Sequence, residues 1–267
     1  MLVDGLARSP AFRLSGGERI SLVPLCPANA FSAWAGEPVR LLARRDDLFF
    51  FYKPCGLHTE SLAGGSKPSL AGLFERMALD ASTIPLRLLT RLDQETSGII
   101  VAAGGEEAAL HWRQWENAGN IEKRYLAVLE GSLESARLAR NALDLTKKRR
   151  TRVLDADGPD LRHTHIRPLA CFQAVDAPGL LSGCPGGTSL TLALCCIAKG
   201  ARHQIRAHAA HIGYPLAGDV LYGARSGASF LLHHCHIQWP EGQVSCDSPW
   251  RVLLPAPVRE PAGCHSA

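Results

Sequence analysis

Short apolar segments that end at glycine or proline recur along this chain, and they limit the folds that it can adopt. The segment 47–53 (DLFFFYK) stops at Pro54, Ser97–Ala103 (SGIIVAA) is apolar almost throughout, and 121–130 (IEKRYLAVLE) stops at Gly131. Apolar runs of this length between turn residues are typical of buried β-strands. The same pattern recurs at 163–172, 188–198 and 230–239. Because strands outnumber helices and the gaps between them are short, we predict an α+β fold with a mixed, mostly antiparallel sheet.

Apolar residues recur with helical spacing in three places between these strands. The segment 69–80 has Ser69 as its predicted N-cap, and Glu106–Asn117 carries two tryptophans on a helical pattern. A third pattern, 202–211, stops at Gly213. We therefore expect helices that flank the sheet.

The chain divides into four parts by composition. Its 267 residues are enough for one large domain or two small ones. Residues 1–25 predict a hairpin around a Gly-Gly turn, and 26–45 is weakly patterned and predicts a linker. The main domain is expected over 46–255, followed by a C-terminal tail at 256–267.

Composition excludes several classes of protein. A hydrophobic content of 46% indicates a globular chain, and a net charge of +4 permits a polyanionic partner without requiring one. The longest apolar stretch, 190–198, is far shorter than the about 20 residues of a membrane span. The first ten residues lack the apolar core of a secretory signal. We therefore expect no membrane association.

Cysteine usage points to a reducing compartment. The chain has nine cysteines, an odd number, and no C-x-x-C motif. In a chain without a secretory signal, this pattern predicts free thiols and a cytoplasmic protein.

One aspartate precedes a predicted strand in the segment RLDQETSG (91–98). Asp93 is there either a turn residue or a functional carboxylate presented at a loop. A pair with Glu95, as in sugar hydrolysis, is disfavoured because the following TSG turns the chain.

A second segment, 199–223, concentrates cations and histidines. Arg202 and Arg206 are four residues apart on the predicted helix, where they form either a solvated basic face or a site for an anion. His208 and the HHCH run at 233–236 do not have the spacing of a known metal motif, so we expect no metal site.

The remaining candidates each have a structural alternative. Tyr125 is either a core residue or a functional one, and Lys53 is either a surface charge or a contact for a ligand. The basic segment 147–152 (KKRRTR) is either a solvated loop or a nucleic-acid contact. Neither a phosphate-binding nor a dinucleotide-binding glycine motif is present.

The order of the motifs is more specific than any one of them. Along the chain they are FYKPCGL (51–57), RLDQETSGIIVAA (91–103), EKRYLAVLEG (122–131), GARHQIRAHAAHIGYPLAGDVLYG (200–223) and LLHHCHIQWP (231–240). Over about residues 47–255, this series resembles the RluA-type pseudouridine synthase family. The resemblance implies the pseudouridine synthase fold with a central catalytic cleft. It also implies isomerisation of uridine in structured rRNA or tRNA by a monomer that needs no cofactor and no metal.

The resemblance also implies roles for particular residues. Asp93 matches the family's catalytic aspartate, and Arg206 matches an arginine that we predict to pair with it. A guanidinium beside a buried carboxylate favours the ionised form. Tyr125 matches an active-site tyrosine that stacks on the uracil and is a candidate to take the C5 proton, and Ile205 is expected to line the same pocket.

RNA contacts are implied as well. The target base must leave the helix stack, and the family's arginine that fills the vacated space matches Arg91. Other candidate RNA contacts are Lys53, Arg202, His203, Lys147, Lys148, Arg149 and Arg150.

The chain departs from the family pattern at several positions. Thr90 stands where the family usually has histidine, Ala201 where it has a basic residue, and Arg202 where threonine or serine is commoner. Residues 1–25 resemble only the closing hairpin of a small RNA-binding domain. A non-catalytic RNA-binding protein on the same fold is the alternative function, although pure binding would not need Asp93, Tyr125 and Arg206 together.

Overall fold

A computed structural model describes most of the chain between residues 38 and 250. The residues outside the description within that range are 62–67, 78–84, 148, 178–180, 182–183 and 225–228. Before residue 38, the description covers three short strands: β1 (Leu2–Val3), β2 (Leu6–Ala7) and β3 (Ile20–Ser21). The tail predicted at 256–267, the stretch 26–37 of the predicted linker, and Lys148 therefore lie outside the described residues.

The three N-terminal strands form a small sheet of their own. In it, β1 lies between β2 and β3 and is antiparallel to both, with Leu2 opposite Ser21. The hairpin predicted over residues 1–25 corresponds to the pairing of β1 with β3, and β2 is an additional strand.

A large sheet organises the rest of the chain. The remaining strands are β4 (Arg40–Arg45), β5 (Leu48–Lys53), β6 (Arg87–Leu88), β7 (Ser97–Ala103), β8 (Glu122–Glu130), β9 (Arg137–Ala139), β10 (Asn141–Asp144), β11 (Arg152–Asp157), β12 (Thr164–Gln173), β13 (Ser189–Ile197), β14 (Leu232–Trp239) and β15 (Gly242–Ser245). Ten of them form one sheet in the order β4-β5-β7-β14-β8-β13-β12-β9, with β6 beside β7 and β15 beside β14. Its neighbours are antiparallel except β7 and β14, which are parallel. The predicted mixed, mostly antiparallel sheet is confirmed.

The linker prediction for 26–45 is wrong over its last six residues, which form β4. This strand pairs antiparallel with β5 at the edge of the sheet. Its sequence, RLLARR, lacks the apolar alternation of a half-buried strand. The guanidinium of Arg40 instead lies 4.8 Å from the centre of the Tyr52 ring, and that of Arg44 lies 4.9 Å from the Phe49 ring. Arginine can therefore take the place of an apolar residue on this strand.

In the described part of the chain, three α-helices flank the sheet: α1 (Leu70–Met77), α2 (Glu106–Asn117) and α3 (Gln204–His211). The predicted cap of α1 is present, since the Gly72 N–H donates to Ser69 Oγ at 3.0 Å. The third helix begins two residues later than predicted, because His203 has a left-handed backbone with φ of 54°. Arg202 therefore lies outside the helix and does not share a face with Arg206.

The sheet separates two parts of the core, and β5 shows how. Phe50 packs on one side with Trp112 of α2 and with Trp239, whose ring centre is 4.7 Å from that of Phe50. The next residue, Phe51, belongs to the other side, where the core includes Tyr125 and residues around α3. That second side carries the cleft described below. Within the described part of the chain, no helix is both long and apolar enough to cross a bilayer.

Candidate active site

A cleft of about 1330 Å³ opens where the loop before β7 faces the start of α3. Asp93, Tyr125, Ile205 and Arg206 all line it. These residues come from a loop, a strand and a helix that are far apart in sequence, and the fold brings them together. The central cleft expected from the family resemblance is therefore present.

Hydrogen bonds from the buried Lys53 side chain fix the loop that carries Asp93. The ammonium donates hydrogen bonds to the carbonyl oxygens of Pro54 at 2.8 Å, Leu57 at 2.8 Å and Gln94 at 3.1 Å. Lys53 is fully buried, so the prediction that it contacts RNA is wrong. Burial lowers the pKa of Lys53 to about 7, against the charges of Cys55, Asp93 and Glu95. The three carbonyl acceptors offset part of the cost of burying the ammonium, because each of its three N–H groups has a partner.

The residue before Asp93 is held as firmly as the one after it. Thr59 Oγ1 donates to the Leu92 carbonyl at 2.7 Å and accepts from the Leu92 N–H at 3.1 Å. On the other side, the Gly56 N–H donates to the Gln94 carbonyl at 2.8 Å. The backbone on both sides of Asp93 is thus fixed, which limits the positions that its side chain can occupy.

Loss of the Lys53 ammonium is expected to destabilise the protein. Lys53→Met leaves three buried carbonyl groups without their donor, so we expect the free energy of unfolding to fall by about 2–4 kcal/mol. Urea denaturation measures this loss. Lys147→Met replaces an exposed lysine and is the control, for which we expect no change in the free energy of unfolding. An equal effect of the two substitutions would contradict the role given to Lys53.

Arg206 connects two carboxylates. Its Nη1 donates to Asp93 Oδ2 at 3.0 Å, while Nε and Nη2 donate to Asp219 Oδ2 and Oδ1 at 2.7 and 2.8 Å. Burial lowers the pKa of Arg206, but the bonds and charge of Asp219, and then those of Asp93, outweigh burial and raise it. The predicted pairing of Asp93 with Arg206 is confirmed.

Asp219 is the site residue that the sequence interpretation missed. Its side chain is 1% exposed and accepts two hydrogen bonds from the Arg206 guanidinium in a bidentate geometry. The signal in the sequence is the acidic residue inside GDVLYG (218–223), within the segment that resembles the family. Arg206 is therefore held in place by Asp219 and presents its remaining amino group to Asp93.

One oxygen of Asp93 stays open to the cleft. Oδ2 accepts the bond from Arg206, and His203 Nε2 lies 3.8 Å from the same atom. Among the residues that the structure describes, none donates a hydrogen bond to Oδ1. The carboxylate thus has a charged partner at Oδ2 and a free oxygen at Oδ1. The Asp93 side chain is 23% exposed.

Tyr125 belongs to β8, lines the cleft and is largely buried. Burial, and to a smaller extent the negative charge of Asp93, raises the pKa of its phenol well above the ordinary value. At neutral pH the ring is therefore a neutral phenol, suited to stacking and poorly suited to accept a proton. Ile205 is buried beside it and lines the same cleft.

The predicted RNA contacts have different surroundings. Arg91 is exposed and pairs with the exposed Glu60 at 3.1 Å. Arg202 lines the cleft, but its Nη2 donates to the carbonyls of Leu145 at 2.9 Å and Lys147 at 2.5 Å. That side chain therefore ties the basic loop to the cleft.

His203 and the basic loop lie on the same side of the cleft. His203 Nε2 lies 3.8 Å from Asp93 Oδ2, and Nδ1 lies 3.1 Å from Tyr222 Oη. Lys147 and Arg149 are exposed, and Arg149 lines the cleft. The guanidinium of Arg150 lies 5.1 Å from the Tyr222 ring centre.

The histidines considered for a metal have other partners. His208 lies between Thr164 Oγ1 at 2.8 Å and the Asn141 carbonyl at 3.0 Å. His233 lies between Ser97 Oγ at 2.9 Å and the Cys246 carbonyl at 3.0 Å. Over the described residues, no three His, Cys, Asp or Glu side chains are grouped to hold a metal ion.

Comparison with known proteins identifies the family. Residues 47–211, more than half of the chain, match the family model described as RNA pseudouridylate synthase. The chain belongs to this family. Among solved structures, Human RNA Pseudouridylate Synthase Domain Containing 1 superposes with a TM-score of 0.59 at 21% identity, over 80% of this chain and 84% of that one. Human RNA Pseudouridylate Synthase Domain Containing 4 gives 0.55 at 18% identity, over 78% and 88%. Both show the shared fold.

The curated relatives described next are longer than this chain. A protein of Xanthomonas campestris pv. campestris named Ribosomal large subunit pseudouridine synthase D is 28% identical over 223 residues. A protein of the same name from Nitrosomonas europaea is 29% identical over 226 residues. The matches cover 83% and 84% of this chain but 63% and 61% of those proteins. The chain thus spans less than two thirds of their length.

Proposed function

We propose that this protein isomerises uridine to pseudouridine in structured RNA. One observation carries the proposal: the Asp93 carboxylate has one oxygen bound by Arg206 and the other open to the cleft that Tyr125 lines. A protein that only bound RNA would gain nothing from a negative charge at the centre of its binding cleft, because RNA is itself an anion.

The chemistry of the isomerisation sets what the site must supply. The bond between N1 and C1′ breaks, the base turns, and a bond forms between C5 and C1′. The hydrogen on C5 leaves as a proton and N1 gains a proton, so substrate and product have the same formula. The reaction therefore needs no net oxidant or reductant, and we expect neither cofactor nor metal.

The site residues fit these demands. Asp93 is the group that acts on the sugar or the base, and Arg206 holds its Oδ2 through a charge-assisted hydrogen bond. Tyr125 offers its ring to the extruded uracil. Because its phenol stays neutral, Tyr125 acts here as a platform, which revises its candidate role as the base that takes the C5 proton.

The proposed substrate is ribosomal or transfer RNA. The names of the curated relatives favour RNA of the large ribosomal subunit. The exposed cations Arg91, Lys147, Arg149 and Arg150 are the proposed contacts with the phosphate backbone. Lys148, which lies outside the described residues, is proposed with them. We propose further that the protein acts in the cytoplasm as a monomer.

Release of the C5 hydrogen tests the function. Transcripts of large-subunit rRNA and of tRNA, made with uridine tritiated at C5, are incubated with the purified protein. We expect tritium to appear in the solvent in equal amount to the pseudouridine found by chromatography of a nuclease digest. Binding to both RNAs without tritium release would overturn the proposal in favour of a non-catalytic RNA-binding protein.

Arg91 is expected to act when the base leaves the helix. Its exposed pair with Glu60 is worth at most about 1 kcal/mol, so the guanidinium can exchange it for stacked bases and phosphates. We predict that Arg91→Ala slows base extrusion by about tenfold and changes the RNA dissociation constant by less than about threefold. Stopped-flow fluorescence of 2-aminopurine beside the modified uridine separates the two steps. Arg87→Ala, which removes an exposed arginine paired with Glu106, is the control. Equal slowing of RNA encounter and base extrusion by Arg91→Ala would refute a role of Arg91 in base extrusion.

A further inference from the structure

One histidine of the HHCH run lies directly behind the active-site tyrosine. His234 on β14 is the cross-strand partner of Tyr125 on β8. Their ring centres are 4.4 Å apart and the ring planes differ by 13°, which is a stacked pair. It is the sole aromatic contact of Tyr125 among the described residues. The imidazole therefore covers one face of the phenol, and a uracil has to stack on the other.

A hydrogen bond fixes the orientation of this imidazole. His234 Nδ1 lies 2.6 Å from the carbonyl oxygen of Ile99 on β7. Burial lowers the pKa of His234 to about 3, so the ring is neutral at physiological pH. A carbonyl oxygen only accepts, so Nδ1 carries the hydrogen and donates it. The ring thus joins Tyr125 to the strand that follows the Asp93 loop.

The backbone around His234 is built for this arrangement. A β-bulge falls between His234 and His236, and bulges next to active sites redirect side chains. On the other side, Gly98 pairs with His234 and has φ of +115°. A Cβ atom on Gly98 would lie 2.3 Å from the His234 carbonyl oxygen, so only glycine lets β7 approach this closely.

The imidazole is also not a simple packing residue. Its second nitrogen, Nε2, is buried and has no hydrogen-bond partner within the described part of the chain. A buried polar atom without a partner costs free energy, so a purely apolar ring would be the better choice for filling space. The imidazole instead makes a hydrogen bond from Nδ1 to Ile99 that an apolar ring could not make, and this bond holds the ring in one plane.

We propose that His234 is a positioning residue that holds the Tyr125 ring in the orientation that receives the extruded uracil. The inference rests on the proposed function. His234 acts through two contacts, the stack on Tyr125 and the hydrogen bond to Ile99. These contacts link the stacking platform to β7, the strand that follows the Asp93 loop. His234 borders the cleft but is only 1% exposed, so its effect reaches the substrate through Tyr125.

Three substitutions separate the contributions of ring and volume. His234→Leu fills most of the space without a flat face, and His234→Phe keeps a flat ring without the hydrogen bond. We expect kcat to fall by about 10- to 100-fold for His234→Leu, which loses both contacts, and by about three- to tenfold for His234→Phe, which loses only the hydrogen bond, because small misplacements of a substrate platform slow chemistry strongly. His236→Ala is the matched control, since His236 bonds Ser245 at the far side of the bulge and should leave kcat unchanged.

A spectroscopic readout makes the test independent of catalysis. The chain has four tyrosines, and 3-fluorotyrosine labelling gives a ¹⁹F signal for Tyr125 that Tyr125→Phe assigns. We expect this signal to be a single narrow line in the wild type and His236→Ala, to broaden in His234→Phe, and to broaden further or split in His234→Leu. A narrow line in His234→Leu, or a kcat within about twofold of the wild type, would overturn the proposal. If the wild type forms no pseudouridine, the proposed function fails, while the ¹⁹F line width still decides whether His234 positions Tyr125.

Discussion

Replacing Asp93 by asparagine is expected to lower pseudouridine formation by at least about 1,000-fold while leaving the fold and RNA binding nearly unchanged. Asparagine has the shape of aspartate, and the backbone on both sides is held by Lys53, Gly56 and Thr59. The neutral amide cannot act as a nucleophile or a base, so chemistry is lost although the loop stays in place. Tritium release from the modified transcript measures the rate, and filter binding measures the affinity.

The neighbouring carboxylate provides a matched control for this result. Glu95 lies two residues further along and also lines the cleft. Glu95→Gln removes the same charge from the same loop, and we expect it to retain activity within about threefold of the wild type. Full activity of Asp93→Asn, or equal losses in the two variants, would contradict the assignment of Asp93.

Replacing Arg206 by methionine is expected to damage both activity and stability. Asp219 then becomes a buried carboxylate without its partner, which costs about 3–5 kcal/mol of unfolding free energy. Asp93 at the same time loses the cation that holds Oδ2, so we expect no measurable turnover. Urea denaturation of the variant and the wild type gives the stability difference.

The loss of unfolding free energy in Arg206→Met should become smaller as pH falls. A buried carboxylate without a partner takes up a proton more readily than the same group in the unfolded chain. The folded variant then binds more protons than the unfolded one, so its stability relative to the wild type improves as pH falls from about 8 to about 5. The double variant Arg206→Met, Asp219→Asn should regain most of the stability at pH 8 and none of the activity. A loss below about 1 kcal/mol in the single variant would contradict the account of this buried pair.

The apolar parts of the fold were predictable from sequence, and the polar parts were not. Ser97–Ala103 and Glu106–Asn117 have the predicted boundaries, because burial on both faces or on one helical stripe leaves a clear pattern. Arg40–Arg45, Asn141–Asp144 and Arg152–Asp157 form strands whose residues are largely exposed or half-buried. Such strands have no apolar alternation, and their pairing depends on partners elsewhere in the chain.

The candidate site shows the same division. The pairing of Asp93 with Arg206 came from motifs that resemble a known family, and the structure places the two side chains 3.0 Å apart. Lys53 was wrongly predicted at the surface, because nothing local shows that its three donors meet three carbonyls inside the fold. Asp219 and His234 were missed for the same reason: each acts through a tertiary contact, with Arg206 and with Tyr125.

Pseudouridine mapping of total RNA tests the central claim most directly. RNA is compared from cells that lack this protein, from the same cells supplied with the wild-type chain, and from cells supplied with Asp93→Asn at equal protein level. The account predicts at least one uridine in ribosomal or transfer RNA that is modified with the wild type and unmodified in the other two. Identical maps in the three strains, or restoration by Asp93→Asn, would contradict it.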